Sequence, residues 1–229
     1  MIMAEWLIGL KGKKSDLEAL PLYFSLPECR VTEEPGGHCM SSCDFTHLRD
    51  ASDVLAAGEK LVAAIRALTE VYRGFRPEIE AGGVVRVEPD GRKTQFIIGK
   101  RGIPSEQRFG AHGIVSGGGH PSNPRPDPLA SKLLLRRTHP RVEKALTMFG
   151  SQPRTWENLY KVFEIVEEEI GGVMTLNGWV TRRDVERFTQ TANHYRHGKE
   201  KYRLPKHPMP LSEADALTTR LLKQWLESK

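Results

Sequence analysis

Residues 52–73 read Ser-Asp-Val-Leu-Ala-Ala-Gly-Glu-Lys-Leu-Val-Ala-Ala-Ile-Arg-Ala-Leu-Thr-Glu-Val-Tyr-Arg, and this stretch decides the fold class of the first half of the chain. Val54, Leu61, Ile65, Leu68 and Tyr72 recur at three-, four- and seven-residue spacings, the period of one face of an α-helix. A helix with one apolar face needs something flat to cover. Strand-like segments stand on both sides of it. Upstream, Trp6 to Leu10 reads as a strand ended by Gly12, and Ser15 to Phe24 as a short helix capped by Ser15 or Asp16. Cys29 to Thr32 and His38 to Phe45 then flank Glu-Glu-Pro-Gly-Gly, which predicts a hairpin turning at Pro35–Gly37. Downstream, Val84 to Val87 and Thr94 to Ile98 flank Pro-Asp-Gly-Arg, and Arg108 to Val115 adds a further strand. The expectation is an α+β half: an antiparallel sheet under one long packed helix.

Beyond this half, residues 116–128 combine a glycine run with four prolines, so neither helix nor strand is expected there. We read residues 1–115 as an α+β domain, 116–128 as a linker and 129–229 as a helical domain. In the last of these, helices are expected at Leu129 to Arg136 and from Pro140 to a stop at Gly150. Thr155 to Ile170 follows, then a helix capped by Thr181 and one capped by Ser212 with Asp215 as its capping-box acid. Such a series makes a four- or five-helix bundle.

Composition limits the function classes. An apolar fraction of 38% with 28% charged residues is that of a folded globular protein. No apolar run is long enough to span a bilayer, and the start lacks the pattern of a secretory signal, so no membrane role is expected. Three cysteines do not form a disulfide framework, which points to a reducing, cytoplasmic compartment. The net charge of +5 suits an anionic partner such as RNA. Neither Gly99 to Gly102 nor the linker has the spacing of a phosphate-binding loop, and no cofactor is expected. His38, Cys39, Cys43 and His47 are zinc-type ligands. On one strand, however, Cys39 and Cys43 would stand about 13 Å apart, so no metal site is expected. Trp6, Trp156 and Trp225 read as core or packing residues; Trp179 falls in a connection.

The helix from Thr181 carries the candidate chemistry. With Val185, Phe188, Ala192 and Tyr195 taken as its core face, Glu186, Gln190, Asn193 and His197 fall on one flank. Arg187 and His194 fall nearly opposite the core. His197 is followed by Gly198 and a polar stretch to Pro210, where the helix is expected to end. Over roughly the last 90 residues, Asn193-His194-Tyr195-Arg196-His197-Gly198, the polar stretch and the final helix resemble the HEPN superfamily. These are helical-bundle domains of antiviral ribonucleases and toxins, together with inactive binding versions. The family's signature is an arginine, four to six residues, and a histidine. In this register the arginine position is Ala192; Arg187 and His194 offer a second register, and Arg196 is an arginine that would substitute in space without matching in sequence.

The resemblance implies a homodimer acting on or near RNA, in a defence or toxin-type setting. Its enzyme form would be a metal-independent endoribonuclease: His197 or His194 moves the proton, and Arg196 or Arg187 holds the phosphate. Two other readings stand beside it. The same residues would serve a non-catalytic RNA-binding surface, or a structural adaptor for a protein partner, or would simply end a helix and bond the next segment.

Overall fold

The computed structural model describes residues 5–98, 104–108, 127–151, 153–172, 178–198 and 201–229. The chain is α+β: its described residues form a seven-stranded antiparallel sheet and a helical C-terminal region. It divides into two compact units, Met1–Val62 with Pro77–Leu134, and Ala63–Arg76 with Leu135–Lys229. None of the described helices is long and apolar enough to cross a membrane.

In the first unit the strands are β1 (Glu5–Gly12), β2 (Ser25–Leu26), β3 (Cys29–Glu34), β4 (Gly37–Ser42), β5 (Ile79–Val87), β6 (Lys93–Ile98) and β7 (Pro104–Arg108). Their order across the sheet is β2-β3-β4-β1-β5-β6-β7. Strand β1 takes the centre because alternate residues, Trp6, Ile8 and Leu10, are buried on one face. Met40, Val31 and Val84 lie on that same face through the pairs Ile8–Met40, Val31–Met40 and Ile8–Val84. Helix α2 (Ala51–Arg73) covers it: Val54 and Leu61 are fully buried, and a Cβ on Gly58 would stand 2.8 Å from Ile8 Cγ1. The long helix needs a glycine there to lie close to the central strand. Both predicted hairpins form, β3–β4 over Pro35–Gly36 and β5–β6 over Glu88 to Arg92, where Gly91 has φ +83°.

Local readings fail where a distant partner intervenes. Helix α1 (Lys14–Tyr23) has Lys13 at its N-cap with no side-chain cap, because the Asp16 carboxylate accepts instead from the Glu78 backbone N–H at 2.8 Å. Strand β4 stops at Ser42 rather than Phe45. Cys43–Phe45 turns into a 3₁₀ helix, where Cys43 N donates to Glu28 O at 3.0 Å and Asp44 N to Ser42 Oγ at 3.2 Å. The last described strand, β7, shares only Arg108 with the expected strand Arg108 to Val115; residues 109–115 lie outside the described residues, as do 116–126 of the expected linker and the stretch 99–102.

Pro128 opens helix α3 (Pro128–Thr138). The second unit contains α4 (Pro140–Gly150), α5 (Trp156–Glu169), α6 (Arg182–His197) and α7 (Leu211–Glu227), together with the last turns of α2. Helix α5 touches α4, α6 and α7, and so forms the axis of the bundle. Val142, Leu146 and Phe149 of α4, Leu159, Phe163 and Val166 of α5, Phe188 of α6 and Leu221 and Trp225 of α7 fill its core. The expected cap of the last helix is corrected: Pro210 occupies the N-cap without a side-chain bond. Asp215 turns to Arg154, its Oδ1 lying 3.2 Å from the guanidinium Nε.

Candidate functional site

Helix α6 starts as its sequence dictates. Thr181 Oγ1 accepts from Asp184 N at 3.1 Å, and the hydroxyl donates to Asp184 Oδ2 at 2.7 Å. Thr181→Ala should therefore lower unfolding stability by about 1 kcal/mol, and Thr181→Ser by much less, in chemical denaturation. At the other end Gly198, with φ +83°, donates its N–H to His194 O at 3.1 Å and stops the helix.

The last turns are rotated from the expected orientation. Val185, Phe188 and Ala192 are buried as foreseen, but Tyr195 is 57% exposed and His194 only 9%. The reason is the segment 201–210, which lies along the face that the apolar stripe marked as outward. Three turns of α6 hold it. The Arg187 guanidinium pairs in a fork with both Glu213 carboxylate oxygens, at 2.5 and 2.9 Å, and donates to His207 O and Pro208 O at 3.0 and 3.3 Å. Thr191 Oγ1 accepts from Met209 N at 3.1 Å. His194 Nδ1 lies 2.7 Å from Tyr202 O; a carbonyl only accepts, so this nitrogen carries the hydrogen. Thr191 and Glu213 were missed in the sequence. The signal was there, because Arg187, Thr191 and His194 are spaced four and three apart, a second stripe that is polar but of helical period.

The remaining candidates separate. Arg196 turns toward α5, its guanidinium 4.0 Å over the Tyr160 ring and 4.0 Å from Glu164 Oε1. Burial chiefly, with Glu164 adding, pushes the Tyr160 phenol up, and Arg196 opposes this. His197 is exposed, and its ring faces Tyr202 at 5.4 Å. Asn193 is half-buried on the flank between them. Arg196 and His197 thus address different neighbours, α5 and the loop, and Arg187 and His194 are both engaged with the chain itself. Ala192, at the arginine position of the family pattern, is fully buried, where a charged side chain would have no water.

On α5, Trp156 is a half-buried packing residue, and Tyr195 stacks parallel to it and offset, with ring centroids 5.5 Å apart and planes 5° apart. Beneath them Trp156 touches Phe188 at 6.0 Å. Trp179 is likewise half-buried.

The cysteine–histidine cluster of the sheet is spread out. His38 is buried on the α2-covered face of β4, Cys39 projects from the other face, and Cys43 has left the strand to donate its thiol to Glu28 O at 3.2 Å. Burial, and then Glu34, raises the Cys39 thiol pKa, with Lys93 acting against them. Among the described residues no group of three or more His, Cys, Asp or Glu side chains could hold a metal ion.

No protein-family model matches the chain, and neither the curated proteins nor the solved structures contain a match to it.

Proposed function

We propose that this protein is a non-catalytic, RNA-associated binding protein whose HEPN-like helical unit presents the segment 201–207 to the phosphate backbone. The observation that carries this reading is the use to which Arg187 and His194 are put. Side chains that would act on a phosphodiester are instead engaged in fixing a loop. That loop is basic. Gly198 to Pro210 holds Lys199, Lys201, Arg203, Lys206 and His207 against one acid, Glu200. Lys201, Arg203, Lys206 and His207 are exposed. Cations carried on a backbone that is already held gain from releasing counterions, and the backbone has little conformational freedom left to lose on binding. The HEPN resemblance adds a setting, a defence or toxin-type system, and a pair of chains around one strand.

The test is a titration of labelled RNA in EDTA at about 50 and about 200 mM salt. Intact RNA should be bound, and more weakly at the higher salt. Lys201→Glu combined with Arg203→Glu and Lys206→Glu should cost at least about tenfold in affinity and flatten the log–log salt slope by about 2. Cleavage in EDTA that disappears in His197→Ala would replace this reading with the nuclease one. Absence of binding at low salt would remove RNA altogether.

A further inference from the structure

We infer that Tyr195 is a stacking platform for an unpaired base, so that the ligand of this surface is single-stranded rather than duplex RNA; this rests on the RNA-binding reading above. The geometry points there in three steps. Tyr195 stacks near-parallel to Trp156 with ring centroids 5.5 Å apart, an offset arrangement, and the residue remains 57% exposed. More than half of it therefore stays open to solvent beside that stack. An exposed flat ring accepts any base, because every base has a π-face.

Second, the platform is held. Trp156 rests on Phe188, which is fully buried, and Phe188 is packed against Phe163 at 5.1 Å and Tyr160 at 6.1 Å. Tyr195 is the outermost ring of this pile, and the His194 ring stands nearly perpendicular to it, with centroids 5.4 Å apart and planes at 87°. Little rotamer freedom is left to lose on binding.

Third, it shares a helix turn with the residues that contact the basic loop. His194 holds Tyr202 O, and His197 faces the Tyr202 ring, so the last turn of α6 joins the platform to the loop that carries Lys201, Arg203 and Lys206. An extended strand could place a base on Tyr195 and its phosphates along the loop. In a duplex the bases are already stacked on one another, so the ring would have nothing to add to.

The experiment uses the full chain in EDTA at low salt. One labelled RNA oligonucleotide carries a fluorescent adenine analogue, and it is offered single-stranded and annealed to its complement. Wild type should bind the single strand more tightly and quench the analogue. Tyr195→Ala should weaken single-strand binding about five- to a hundredfold and abolish the quenching, while duplex binding changes by less than about twofold. Tyr195→Phe should behave as wild type. Tyr195→Leu, which keeps apolar bulk beside Trp156 but has no π-face, should behave as the alanine variant. Unfolding curves run alongside separate lost binding from lost structure. Single-strand affinity and quenching unchanged in the alanine and leucine variants would overturn the platform. If the loop charge variant still abolished binding, the RNA reading would survive that result. A wild-type protein that bound neither RNA form would overturn both.

Discussion

Replacing Arg154 by methionine should lower the unfolding free energy by about 3–5 kcal/mol, and the deficit should shrink as the pH falls. Arg154 stands just before α5 with its side chain 12% exposed. Its Nη2 donates to Glu70 Oε2 at 2.5 Å, its Nε lies 3.2 Å from Asp215 Oδ1, and its guanidinium lies 3.8 Å over the Phe149 ring. One cation therefore serves two carboxylates, those of α2 and α7, and the Glu70 side chain is only 15% exposed. Methionine fills much of the volume but leaves both acids without their shared partner. The large expected loss is the cost of a buried charge stripped of its hydrogen-bonded partner, with only the weaker influence of Arg76 left, and not the net value of the ion pair.

The pH arm fixes the sign. Burial chiefly raises the Glu70 pKa; Arg154 acts against it, Asp215 with it, and Arg76 against it. A carboxyl whose folded pKa lies above its unfolded value contributes stability that is fully present below the unfolded value. That contribution is lost as the pH rises through the folded one. Removing Arg154 takes away the largest opposing influence, so the folded value rises further and the window widens. Urea unfolding at about pH 8 and about pH 5 should show the smaller deficit at about pH 5, where Glu70 is closer to neutral. Glu70→Gln added to Arg154→Met should recover part of the loss at about pH 8. A deficit below about 1 kcal/mol, or one that grows on acidification, would mean that these charges are better solvated than their burial implies.

This cluster marks the boundary of what could be read from the sequence. The α+β class, both hairpins and the caps at Thr181 and Gly198 were legible, because each follows from residues within a few positions of one another. The same local habit misassigned Asp215 to a capping box and Asp16 to a helix cap, when each carboxylate answers a group far away in the chain. The candidate site shows a subtler version. The period of α6 was correct, but its outward face was chosen from apolar residues alone. Thr191, Arg187 and His194 make an equally regular polar stripe, and the loop they bind could not be placed on that face until Glu213 and the carbonyls of 202–208 were in position. Tyr195 was assigned to the core for the same reason, and its exposure is the consequence of that rotation.

Gly150→Ala should cost about 3 kcal/mol or more, even though alanine is the better helix former. The sequence suggests that this glycine stops α4, and Gly150 is indeed the last residue of that helix. It is not among the glycines with positive φ, so backbone freedom is not what requires it there. Space is. A Cβ at Gly150 would lie 1.7 Å from Ala63 O, 2.5 Å from Ala63 C and 3.0 Å from Ala63 Cα, all backbone of α2. No rotamer relieves such a contact, so one helix must move. The movement would pull on Gly150 O and Ser151 O, which accept from Arg76 Nη2 at 2.8 and 2.6 Å and hold the end of α4. Helix propensity works the other way, favouring alanine by up to about 1 kcal/mol, so a net loss can only come from the clash. Gly171→Ala is the control. Gly171 has φ +85° and nothing within 4 Å of its would-be Cβ, so its penalty should be the conformational one alone, about 1–2 kcal/mol. Measured side by side by urea denaturation, Gly150→Ala should be clearly the less stable of the two. If it instead matches wild type, α4 does not lie against the α2 backbone, and the packing of that helix end described above is wrong.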